Sequence, residues 1–328
     1  MITIKDIARE AGVSTSLVSF VMNNQIKGKK HYRVSAETER KVLDVIERYG
    51  YQPNEMARTL RSGEARVIGV IISDIANRFY AEIARGIADR AYKNDYIALF
   101  GNTDEKAGKL AETLNLFNSK GVKNYIIVPC EGSETEIENL EKAGIPHVLI
   151  DRDFPELNSS SVTLDNAGAA RLLTLELIGK GCHNIEMISY RTGLTNIRDR
   201  EEGFLNGLGE NGRGPGRIHH PDYGDYEQIL EIIRKAASDG TDGLIFTTYR
   251  MALLGRRAML ACGEDFVRDC RVACFNNYDE LQIFDRDIVF AKQPIDRISS
   301  EAIRLLLAQI DDKDCPTEKV VLKPEIFK

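Results

Sequence analysis

The chain has 328 residues, 43% hydrophobic and 29% charged, with 26 Gly and only 9 Pro, which supports two or three compact units and excludes a disordered, fibrous or staple-dependent scaffold. Its longest near-continuous apolar stretch, Val67 to Ile72, is far short of the roughly 20 residues of a membrane span, and charges interrupt the start MITIKDIARE, so a cytoplasmic chain with thiol cysteines and no membrane partner is expected. The net charge of −6 conceals an asymmetry: residues 1–62 carry 11 Lys and Arg against 7 Asp and Glu, the remainder 33 against 43. A basic head on an acidic body suits a small segment that meets a polyanion.

In chain order, Thr3 and Asp6 form a capping-box signature for a first helix with Ile4, Ile7, Ala8 and Ala11 on one face, and Gly12 ends it. Ser14 is a good N-cap for a second helix over 15–24, with Val18, Val21 and Met22 inward and Ser16, Ser19, Phe20 and Asn23 opposite. A basic, turn-rich stretch follows at 25–33. Ser35 then caps a third helix with Val42, Val45, Ile46 and Tyr49 inward and Gly50 at its end. Residues 53–64 are polar and cannot build a core of their own.

From Arg66 the pattern becomes strand runs alternating with amphipathic helices. Strands are expected at 67–72, 96–101, 124–128, 147–150, 162–164, 184–189, 243–247, 271–275 and 287–291. Repeated βα units imply parallel sheets covered on both faces. Nine strands fit two doubly wound lobes, with ligands at the strand carboxyl ends between them. The fold class is therefore α/β with an all-α head.

Residues 3–24, TIKDIAREAGVSTSLVSFVMNN, carry the strongest functional signal. A helix, a tight turn at Gly12 and a second helix that starts with small polar residues is the arrangement of a helix-turn-helix, whose second helix reads the major groove. Elsewhere the signals are weak. Gly207, Gly209 and Gly212 form a G-x-G-x-x-G string that follows a helical segment, so it reads as a loop and not as a dinucleotide site. Cys262, Cys270 and Cys274 read as core, and His219 and His220 as solvated loop histidines. No nucleophile elbow, Walker loop or HExxH motif is present, so no enzyme, metal or cofactor is expected.

The head resembles that of the LacI/GalR family of bacterial transcription regulators. Thr3, Asp6, Ile7, Ala8, Ala11, Gly12, Val13, Ser14, Val18, Ser19, Val21, Met22 and Asn23 fit the family pattern, as do the Y-x-P-N junction and A-R-x-L segment of residues 51–60. The resemblance implies that Thr15, Ser16 and Phe20 read bases, Phe20 through a thymine methyl, while Ser14, Ser19 and Asn23 contact phosphate. Thr3, Arg33 and Asn54 join the DNA-binding set, and Arg58 and Leu60 lie in a hinge helix whose Leu wedges into the minor groove. Two departures are the long insert at 25–33, whose Lys27, Lys29, Lys30 and Arg33 supply extra phosphate contacts, and Leu17 in place of a small polar residue.

The body is similar to the periplasmic-binding-protein-like core that the family uses for effectors. The implied division is a head at 1–50, a hinge and linker at 51–65, a first lobe of 66–161 with 292–322, and a second lobe of 162–291 with 323–328. Phe79, Tyr80, Asp165, Asn196, Arg200, Tyr223, Tyr249 and Asn276 are the implied effector residues. Tyr249 and Asn276 stand where many relatives carry carboxylates that clamp sugar hydroxyls. With Arg191, Arg198, Arg200 and Arg250 near the cleft, its balance is expected to lean positive and to favour a sugar acid or sugar phosphate over a neutral sugar. The expected function is a homodimeric regulator, a repressor of carbohydrate-related genes, that binds double-stranded operator DNA under small-molecule control. The alternatives are a solute-binding protein of the same core fold and a regulator controlled by a partner protein.

Overall fold

The computed structural model describes residues 2–27, 34–50, 66–276, 278, 281 and 287–327, with side chains described up to Met22 in the second helix. Two compact units result, residues 1–65 and 66–328.

The small unit holds three helices, α1 (Ile4–Glu10), α2 (Thr15–Lys27) and α3 (Ala36–Tyr49). Thr3 and Asp6 form the expected capping box at α1, each side chain meeting the other's backbone N–H. Gly12 turns the chain at φ +66°, a conformation that lacks steric cost only without a Cβ. The Val13 N–H then returns to the Ala8 carbonyl, and Ser14 Oγ accepts from the Leu17 N–H at 3.2 Å, which starts α2. Ile7, Ala8, Val18, Val21, Val42 and Val45 are buried together. Tyr49, expected inward, is 43% exposed, because it lies in the last turn just before the left-handed Gly50.

The large unit contains two six-stranded sheets. The first has strand order β11-β5-β4-β3-β1-β2, built from β1 (Val67–Ile72), β2 (Ile97–Asn102), β3 (Tyr125–Ile127), β4 (His147–Asp151), β5 (Ser160–Leu164) and β11 (Lys319–Leu322). The second has order β12-β10-β9-β8-β6-β7, from β6 (Ile185–Ile188), β7 (Arg217–His219), β8 (Gly243–Phe246), β9 (Arg271–Phe275), β10 (Val289–Lys292) and β12 (Glu325–Phe327). All described pairings are parallel except β10 with β12. Parallel pairing demands crossovers. These are helices α4 (Arg78–Lys93), α5 (Ala107–Ser119), α6 (Glu134–Lys142), α7 (Asn166–Gly179), α8 (Thr195–Gly209), α9 (Tyr226–Ser238), α10 (Tyr249–Cys262) with the short α11 (Glu264–Asp269), and α12 (Ile295–Asp311).

The chain passes between the sheets after β5, after β10 and between β11 and β12. The first passage follows Leu164, three residues later than the expected division at 161/162, because β5 completes its pairing with both β4 and β11. Gly207 and Gly209 belong to the last turns of α8, and only Gly212 lies in the turn that follows. His219 is part of β7 and sits 2.7 Å from the buried Glu186, while His220 lies 3.0 Å from Glu201. His219 is therefore a strand residue and not a loop histidine, whereas His220 is exposed and outside the strands as expected. Among the described residues the six cysteines are free thiols, with Cys270 and Cys274 buried and Cys262 half-buried.

Candidate functional site

On the head, α2 turns Val18 and Val21 into the core, which leaves Ser16 and Phe20 exposed and Thr15 and Ser19 half-buried. Ser14 and Thr3 are exposed, both engaged as helix caps. One surface of α2 thus presents hydroxyls around an aromatic ring, a pattern suited to base edges and thymine methyls. The Asn23 side chain and Arg33, Asn54, Arg58 and Leu60, with the hinge and most of the basic insert, lie outside the described residues.

In the large unit the strands of both sheets end at one cavity of about 490 Å³ between the lobes. Strand ends place functional groups there because the last buried residue of a parallel strand is followed at once by the turn to its helix. Of the expected effector residues, Phe79, Tyr80, Asn196 and Arg200 line it, as do Tyr223, Tyr249 and Asn276. Asp165 does not. Its carboxylate caps α7 by accepting the Gly168 N–H at 2.8 Å.

Arg200 is buried, and its guanidinium is largely committed to the protein. Nε donates to Asn166 Oδ1 at 2.8 Å, Nη1 donates to the Thr247 carbonyl at 2.6 Å, and the group lies 3.8 Å from the Phe275 ring centre. Burial lowers its pKa from the usual arginine value. Asn276, at φ +59°, uses its side-chain oxygen to accept the Gln293 N–H at 3.1 Å, so it secures the passage from β10 toward α12.

The floor of the cavity is a network absent from the sequence reading. Asp151, at φ +71° at the end of β4, accepts from the Tyr80 hydroxyl at 2.8 Å and from Asn196 Nδ2 at 3.3 Å. Arg152 grips Glu105 with two 2.8 Å bonds and donates to the Tyr80 oxygen at 2.7 Å. Burial opposes the Arg152 charge, but Tyr80, Glu105 and Asp151 together hold it firmly protonated. Burial likewise pushes the Tyr80 hydroxyl well above its ordinary value, so it stays a donor. Asn196 Oδ1 and Gln293 Oε1 are buried acceptors without a hydrogen-bond partner. The signal for this network was the charged D-R-D run directly after the apolar strand 147–150.

The expected positive balance is overturned. Asp74, Asp104, Glu105, Glu131 and Asp151 all line the cavity, against Arg152, Arg191, Arg200 and Arg250. Arg198 lines a smaller adjoining cavity of about 200 Å³ instead. Tyr249 and Asn276 are neutral, and carboxylates at the ends of other strands supply the negative charge.

The model for "Bacterial regulatory proteins, lacI family" matches residues 3–54, and that for "Periplasmic binding protein domain" matches residues 68–257. Catabolite control protein A of Priestia megaterium is 32% identical over 330 residues, covering 99% of this chain and 97% of that protein. This chain belongs to the LacI family. It is a DNA-binding transcription regulator. The fold of this LacI-family chain agrees with that of a Lac repressor dimer bound to operator and an anti-inducer, at 20% identity and TM-score 0.85 over 100% of this chain and 98% of the other. A LacI-family regulator from Silicibacter pomeroyi gives 25% identity and TM-score 0.80, again over 100% and 98%. Among the described residues no helix is long and apolar enough to cross a membrane.

Proposed function

We propose that this regulator binds operator DNA as a homodimer, one head per half-site, and that a small carbohydrate-related molecule in the interlobe cavity changes its affinity for DNA. The cavity carries the reading: it is of ligand size, lined by aromatic rings, and holds two buried acceptors that await donors. On the DNA side, Thr15, Ser16 and Phe20 read bases, while Thr3, Ser14, Ser19 and Asn23 position the head on phosphates. Arg33 and Asn54 add backbone contacts, and Arg58 and Leu60 act in a hinge over residues 51–65. The named relatives act in transcription, which supports a non-enzymatic role.

The test is binding of the full chain to DNA from its own upstream region. Affinity should fall steeply with salt, because two basic heads displace counterions from the phosphates. A chain lacking residues 1–65 that binds equally well overturns the DNA assignment. For the cavity, a ligand at 100 times its dissociation constant should stabilise the fold by about 2.7 kcal/mol. An equal shift in a variant with Asn196→Leu places the ligand elsewhere.

A further inference from the structure

The charges of the cavity are sorted by lobe. Among the described residues, the second lobe contributes three charged groups, all arginines: Arg191, Arg200 and Arg250. The first lobe contributes five carboxylates and the single Arg152. Three of those carboxylates are occupied on their own side, Glu105 and Asp151 by Arg152 and Asp104 by Lys109, which leaves Asp151 its second oxygen. On the opposite wall Arg191 and Arg250 are exposed and form no ion pair among the described residues; Arg250 lies 5.7 Å from the Tyr223 ring centre. The cavity is an acidic wall facing a basic wall, with Tyr190 and Tyr223 in contact at 4.7 Å among the aromatic groups that line it.

A ligand between such walls has to satisfy both. A simple anion would meet the carboxylates, and a cation would meet the arginines. A neutral polyol would supply hydroxyl donors to the acidic wall and hydroxyl acceptors to the basic wall, but no charge to balance the arginines. A molecule with hydroxyls at one end and an anionic group at the other satisfies each wall by charge-assisted hydrogen bonds. The unpartnered Asn196 Oδ1 and Gln293 Oε1 add two acceptors for the hydroxyl end. We propose that the ligand is a small polyhydroxylated anion, a sugar phosphate or sugar acid, held across the cleft. Its hydroxyls face Asp74 and Asp151, and its anionic group faces Arg191 and Arg250. The proposal rests on the reading of this cavity as the effector site.

The test is titration calorimetry of the full chain with a matched panel: glucose, fructose and ribose, their phosphate esters, gluconic and ribonic acids, glucosamine and inorganic phosphate. One or more phosphates or acids should bind, with the neutral parent weaker by about tenfold or more. The esters and the aldonates form separate arms, so the anionic group is identified by which arm responds. Arg191→Gln and Arg250→Gln should each weaken that binding severalfold, with the loss growing as salt is lowered. Asp74→Asn should weaken the sugar phosphate or acid and leave any inorganic phosphate binding unchanged. Inorganic phosphate binding as tightly as the ester overturns the role of the acidic wall. Binding confined to neutral or amino sugars, unaffected by both arginine variants, overturns the proposal and leaves the cavity as an effector site. No binding by any compound overturns both.

Discussion

Arg200 illustrates how a residue can fit a family motif and still serve the fold. Truncating it to Ala leaves the Asn166 amide oxygen and the Thr247 carbonyl without their donor in a buried place. Each such group costs about 1–3 kcal/mol, so chemical denaturation should show Arg200→Ala less stable by about 2–6 kcal/mol. Lys in its place, with no planar fork, should recover little of it. Unchanged stability with lost ligand binding would return Arg200 to the ligand. Glu186 gives a pH signature. Burial pushes its carboxyl up, but hydrogen bonds from His219 and Thr241 outweigh that, and the net folded pKa lies below the ordinary 4.5. A depressed carboxylate contributes stability above the unfolded value and loses it as pH falls through the folded one. Acid titration of stability should therefore be flatter in Glu186→Gln below about pH 4.5.

At the scale of elements, the tightest constraint is the crossing of α7 and α8. Gly203 lies against the Ala167 carbonyl, so close that any Cβ would strike backbone, and Gly207 lies against Thr174. Gly203→Ala should destabilise by about 1–3 kcal/mol or more, since backbone cannot yield as a side chain can. Gly209, the last residue of α8 with open space around it, should accept Ala with a gain of up to about 0.5 kcal/mol. A neutral Gly203→Ala in thermal melts would show that the helices slide apart freely. Most long elements were legible in the sequence: 67–72 and 271–275 match β1 and β9 in full, because each carries a dense run of apolar residues with a polar residue directly after it. β7, β11 and β12 were missed. Each has only three or four residues, and pairing partners rather than local pattern make them strands. The cavity was half legible. Phe79, Tyr80 and Arg200 stand in motifs, whereas Asp151, Arg152 and Glu105 come together from two strand ends 47 residues apart for the Arg152–Glu105 pair, which no local window reveals.

At the scale of the whole large unit, the lobes are joined across the cleft mouth by Glu131, whose carboxylate accepts from Thr192 Oγ1 at 3.0 Å and from the Gly193 N–H at 2.9 Å. Glu131→Ala removes this link, and small-angle scattering of the unliganded chain should report a more open pair of lobes. A scattering profile unchanged by the substitution would show that the chain passages alone set the opening.

Those passages carry a further consequence for how the protein is made. Ile298, Ala302, Ile303, Leu305 and Leu306 of α12 and Leu322 of β11 complete the core of the first lobe. They follow every strand of the second sheet except β12 in the chain. The five strands β6 to β10 of the second sheet, by contrast, are consecutive in the chain and wait only for the short edge strand β12. On the ribosome the second lobe should therefore complete most of its core before the first, in reverse of the order in which their residues emerge, with the α12-facing side of β3–β5 uncovered throughout that interval. A premature stop before Ile295 yields a second lobe that lacks only β12, tethered to a first sheet without its α12 cover, a species fit for chaperones and proteases rather than a weakened regulator.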